Sequence, residues 1–64
     1  MKKPEPGDIF KNKDGIKGII NKWVFNPKLP ETEVEILYPN GAVETHFWKD
    51  LTFKKGIWLE GEIL

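Results

Sequence analysis

The sequence predicts an all-β domain, a small barrel or sandwich. No segment keeps its apolar residues at helical spacing for long enough to make a helix. Short apolar stretches are instead broken by Gly, Pro, Asn and Asp roughly every 8–12 residues, the rhythm of short strands joined by turns. Three Trp, four Phe and one Tyr supply the large side chains that a small core needs.

Sixty-four residues make a single domain, residues 1–64. A domain of this size buries a modest share of its surface, so each large apolar side chain matters. The chain has no cysteine, which excludes a disulfide staple and a thiolate metal site and fits a reducing, cytoplasmic setting. One histidine excludes a multi-histidine metal centre, and no cofactor or metal is expected. The basic start at Met1-Lys2-Lys3 runs into Pro4-Glu5-Pro6-Gly7 where a signal peptide needs an apolar run. Apolar runs are only a few residues long, far short of a membrane span.

Residues 8–11 read as a first strand and residues 12–15, Asn-Lys-Asp-Gly, as a turn. Residues 16–25 are the longest strand candidate, with Gly18 inside it marking a bulge or sharp bend. Residues 26–32 contain Pro27 and Pro30 and read as a loop. Residues 33–38 and 43–48 read as a hairpin about Asn40-Gly41, a dipeptide suited to two-residue hairpin loops. Residues 49–51 suit one tight helical turn. Residues 52–53 and 57–59 supply the last strand around Lys54-Lys55-Gly56.

With Asn40 and Gly41 as a two-residue loop, Tyr38 faces Val43, Ile36 faces Thr45, and Val34 faces Phe47. These six share one face, and that face is expected to be core. The other face pairs Leu37 with Glu44, Glu35 with His46, and Glu33 with Trp48. A slip of one residue exchanges the two faces.

Pro6-Gly7-Asp8, Gly15-Ile16-Lys17-Gly18-Ile19-Ile20, the hairpin from Val34 to Phe47, and Asp50-Leu51 resemble the SH3-like small barrels, including KOW and Tudor-like families. The resemblance implies a five-stranded SH3-like barrel with one short helical turn before the last strand. It also implies a binding role, since members dock on RNA or on proteins.

The residues carry no catalytic apparatus. His46 has no Cys or Ser to activate, and Thr45 is its neighbour in a strand and so points to the opposite face. Glu33, Glu35 and Glu44 read as a solvated face that discourages unwanted strand pairing. Three tryptophans exceed what a core this small needs. Trp48, beside His46 and Leu37 on the acidic face, suggests a protein contact, with Glu35 and Trp23 as further contributors. Lys17, Lys22, Lys28, Lys54 and Lys55 are the candidate basic stripe of a KOW-like RNA or single-stranded DNA module. Ten lysines balance ten carboxylates and there is no arginine, which favours a protein partner over nucleic acid. The expectation is a non-enzymatic accessory or adaptor protein, a monomer or small homo-oligomer, with no membrane association.

Overall fold

The computed structural model describes residues 3–25 and 32–61, with the backbone alone at Phe25. The loop expected at residues 26–32, with Lys28 in it, lies outside the described residues except for Thr32, which begins a strand instead. Among the described residues, six strands form one sheet: β1 (Ile9–Lys11), β2 (Lys17–Phe25), β3 (Thr32–Leu37), β4 (Val43–Phe47), β5 (Leu51–Lys54) and β6 (Ile57–Glu60). Their order across the sheet is β4-β3-β2-β1-β6-β5. Neighbours are antiparallel except β1 and β6, which run parallel. A single 3-10 turn, Trp48–Asp50, separates β4 from β5. No helix among the described residues is long and apolar enough to cross a membrane.

The all-β expectation holds, but six strands stand where five were expected. The difference lies in Lys55-Gly56. Both residues have positive φ, 53° and 85°, and Lys54 pairs with Ile57. That is a two-residue hairpin loop whose twist matches its flanking strands. It splits the expected last strand into β5 and β6, and β6, not β5, lies beside β1.

The hairpin around Asn40 has a different loop from the one expected. Tyr38 N–H donates to Ala42 O and Gly41 N–H donates to Tyr38 O, both at 2.9 Å. The loop is therefore three residues, Pro39-Asn40-Gly41, with Gly41 at φ 89°. A two-residue loop makes its flanking residues exchange two N–H···O bonds, and Pro39 has no N–H to give. Leu37 consequently pairs with Val43, Ile36 with Glu44, Glu35 with Thr45 and Val34 with His46. Every β4 side chain sits on the face opposite to the one expected. The loop between β1 and β2 is built alike: Asn12 N–H donates to Ile16 O and Gly15 N–H to Asn12 O.

Among the described residues the core cluster is Phe10, Ile20, Val34, Ile36, Tyr38, Leu51 and Trp58. They come from one face of the sheet, as strand alternation requires. Val34, Ile36 and Tyr38 fall inside as expected. Val43 and Phe47 do not: Val43 is 55% exposed and Phe47 half-buried, because the slipped register turns both outward. The sheet curls into a half-barrel, so side chains from distant strands meet inside it. The His46 ring from β4 lies 5.3 Å from the Phe10 ring of β1, two strands beyond its neighbour. Burying an aliphatic or aromatic side chain of this size contributes about 1.5–3 kcal/mol.

The bulge in β2 falls between Ile20 and Lys22, not at Gly18. Gly18 has another task. It pairs with Phe10 on the inner face, and a Cβ there meets Ile36 Cγ2 and the Leu37 carbonyl oxygen at 2.9 Å and Tyr38 Cδ1 at 3.0 Å. The bare backbone lets Phe10, Ile36 and Tyr38 close over it. Gly18→Ala is expected to destabilise the domain by about 1–3 kcal/mol, since backbone must move to admit a methyl group. A lower urea midpoint at unchanged slope checks this.

Candidate functional site

The slipped register separates the residues expected to form one contact surface. Leu37 and Glu35 lie on the outer face of β3, whereas His46 lies on the inner face of β4. Trp48 stands in the 3-10 turn and packs edge-on against Trp23, with ring centroids 5.9 Å apart at 83°. Both tryptophans lean on the core, and Lys3 Nζ sits 5.9 Å from the Trp48 ring centre. The expected cluster of Leu37, Glu35, His46, Trp48 and Trp23 is thus divided among the outer face, the interior and the aromatic pair. Trp58, open to either reading from sequence, is buried, and its Nε1–H donates to Asp8 Oδ2 at 3.1 Å.

His46 does not pair with Glu35. Its Nε2 lies 2.9 Å from Glu44 Oε1, and Glu35 accepts from Asn21 Nδ2 at 2.6 Å. Glu44, expected beside Glu33 and Glu35, turns inward instead. There the Tyr38 hydroxyl also donates to Glu44 Oε1, and Asn12 Nδ2 donates to the Tyr38 hydroxyl at 3.4 Å. Burial, then the bond to Glu44, pushes the Tyr38 phenol up from 10.0 to about 12. The Tyr38 and His46 hydrogen bonds hold the Glu44 carboxyl below its ordinary value.

Glu60 reaches the same place from β6. Glu44, His46 and Glu60 bring ligand-type atoms within 4.8 Å of one another, a spacing a metal ion can span. Each already has a partner in the chain. Glu44 is held by Tyr38 and His46, and Glu60 accepts from Lys13 N–H at 3.3 Å with Lys13 Nζ at 3.8 Å. The arrangement is two hydrogen-bonded groups, one about Glu44 and one about Glu60, set side by side where the curled sheet brings β4 towards β6.

The outer face carries a different pattern. Ile9 pairs with Ile19, Ile19 with Leu37, and Leu37 with Val43, so one row of aliphatic side chains crosses β1, β2, β3 and β4. Ile9 and Ile19 are each 43% exposed and Leu37 is half-buried. Beside the row lies a shallow groove of about 460 Å³, lined by Ile9, Gly18, Ile19, Leu37 and Pro39 with Lys17 at its rim. On the side towards the hairpin loops, Lys11 pairs directly with Lys17. On the other side stand Lys22, Glu35 and Thr45, then Val24, Glu33 and Phe47. Ile9, Ile19 and Val43 were not foreseen as surface contributors. For Ile9 and Ile19 the signal is a doublet of apolar residues within a strand, since Ile9-Phe10 and Ile19-Ile20 each must send one side chain outward, whereas Val43 is turned outward by the register of β4.

The lysines expected to form a stripe are dispersed. Lys17 and Lys22 lie on β2 at opposite sides of the row, and Lys54 and Lys55 belong to the β5–β6 turn at the far side of the sheet.

Comparison with protein-family models, with curated proteins and with solved structures gives no match.

The chain has one tyrosine, so tyrosinate absorbance reads Tyr38 alone. Its midpoint is expected near 12. The folded pKa is raised above the unfolded value, so Tyr38 adds stability that is complete below pH 10.0 and is lost as pH climbs towards 12. Tyr38→Phe is expected to flatten that alkaline loss in urea midpoints measured across pH.

Proposed function

We propose that this domain is a non-enzymatic module that binds another polypeptide chain through the outer face of β1 to β4. The observation that carries the reading is the unbroken row Ile9-Ile19-Leu37-Val43. Single exposed aliphatic residues are ordinary, but a contiguous apolar strip with a groove beside it and charges along its borders is the form of an interaction site. Water around such a strip is released when an apolar partner surface covers it.

The borders give the partner its chemistry. Lys11 and Lys17 face each other directly across two strands, and like charges so placed destabilise a sheet. Neither lysine is in an ion pair among the described residues. A partner with aliphatic side chains for the row and a carboxylate for the lysine pair complements both features.

The inner polar groups support a structural role over catalysis. Tyr38 and His46 both bond to Glu44, Asn12 bonds to Tyr38, and Glu60 beside them bonds to Lys13. The order of strands and the 3-10 turn ahead of the last two support an SH3-like barrel as the finer description of the fold. Cytoplasmic residence belongs to the same reading, supported by the cysteine-free composition. A nucleic-acid module has weaker support, because the lysines are dispersed and Trp23 and Trp48 are packed on each other.

Photo-crosslinking in the native lysate tests the reading. A photoreactive phenylalanine at position 43 is expected to form a discrete polypeptide adduct. Leu37→Asp, and Lys11→Glu with Lys17→Glu, are each expected to reduce its yield at least tenfold, with circular dichroism unchanged. Adducts to RNA, or polypeptide adducts indifferent to these substitutions, overturn the proposal.

A further inference from the structure

We propose that Glu44, His46 and Glu60 form a binding site for a first-row divalent transition cation, zinc foremost, which ties the edge strand β4 to β6 across the open side of the curled sheet. The site lies on the inner side of the sheet, apart from the aliphatic row, and stands independently of the docking reading.

Glu44 and His46 are two residues apart on β4 and so share its inner face. Glu60 shares its face of β6 with the buried Trp58. In the sheet β4 and β6 are separated by β3, β2 and β1. Curling nevertheless brings one ligand atom from each of the three side chains within 4.8 Å of the others. Ligand atoms on one tetrahedral zinc, at bonds of ~2.0–2.1 Å, stand about 3.3 Å apart. His46 Nε2 and Glu44 Oε1 are already 2.9 Å apart. The Glu60 side chain has at most about 1.5 Å left to cover, and its torsions allow that.

The imidazole sets this group apart from an acidic patch. Its ring is held against Phe10, with centroids 5.3 Å apart at 34°, and its Nε2 is aimed at the Glu44 carboxylate. One imidazole nitrogen with two carboxylate oxygens suits zinc and its neighbours, whereas calcium and magnesium take oxygen ligands. The Tyr38 hydroxyl, which donates to Glu44, orients that carboxylate as outer hydrogen bonds orient metal ligands. Three protein ligands leave a fourth position for water.

Charge favours the same ion. Glu44 and Glu60 repel at this separation, and the cation beside them is Lys13 Nζ, 3.8 Å from Glu60 Oε2 on a side chain 73% exposed. Such a pair is weak and screened. A divalent ion between the carboxylates neutralises both and displaces Lys13. Glu44 is exposed, and His46 and Glu60 are half-buried, so the ion has a way in.

Calorimetric titration of zinc into the whole chain, free of any affinity tag, tests the proposal together with proton NMR of the ring of its one histidine. One equivalent of zinc is expected to bind at sub-millimolar concentration, to shift the His46 ring signals and to raise the urea midpoint. Calcium at the same concentration is expected to do none of these. Glu60→Gln and His46→Gln are each expected to weaken zinc binding at least tenfold, with circular dichroism unchanged, whereas Lys13→Gln binds at least as tightly as the wild type. Should His46→Gln fail to fold, the wild-type ring signals and Glu60→Gln decide. Absence of binding at millimolar zinc overturns the proposal, as does binding that leaves the His46 ring unshifted. Calcium binding as tight as zinc, or Glu60→Gln binding zinc like the wild type, overturns it too, the first by showing mere attraction to carboxylates and the second by removing the tie to β6.

Discussion

Pro39 carries no amide proton, and the disposition of both faces of the sheet depends on that. A two-residue loop at Asn40-Gly41 needs Pro39 to donate a hydrogen bond that it cannot make. The three-residue loop that forms instead advances β4 by one residue against β3. Glu44 and His46 are thereby carried inward and Val43 outward. Without this shift Glu44 does not reach the Tyr38 hydroxyl, His46 does not stack on Phe10, and the outer row ends at Leu37.

The inner polar groups follow from the same shift. Glu44 and His46 share the inner face of an edge strand, His46 half-buried and Glu44 still exposed. The Tyr38 hydroxyl donates to Glu44, His46 pairs with Glu44, Asn12 donates to the Tyr38 hydroxyl, and no buried side-chain polar atom among the described residues lacks a hydrogen-bond partner. Inward-pointing charge at an edge also resists pairing with foreign strands. The domain thus leaves the backbone edge of β4 guarded and places its apolar exposure on the flat of the sheet.

Much of the fold was legible in the sequence. Turn residues at regular spacing announced the strands, and the alternation of Val34, Ile36 and Tyr38 placed β3 correctly. The parity of β4 was not legible from the Asn-Gly pair alone, because the deciding residue was the proline before it. Lys55-Gly56 was a weaker hairpin signal, since lysine seldom adopts positive φ. The candidate site was less legible. The row depends on which residues of β1, β2, β3 and β4 stand side by side, and cross-strand register is set by loops, not by the strands' own composition. The Trp23–Trp48 contact and the Phe10–His46 stack depend on curling of the whole sheet, which no local pattern encodes.

The parallel pairing of β1 with β6 has a consequence for how the chain reaches this structure. The hairpins β1–β2, β3–β4 and β5–β6 each join segments close in sequence, so little chain entropy opposes their formation. Phe10 against Trp58 closes about three quarters of the chain into a loop. Contacts of such separation form slowly, and they complete the burial of Trp58. Among the pairings of the sheet, the docking of the β5–β6 hairpin onto β1 therefore demands the most loop closure, and the burial of Trp58 depends on it.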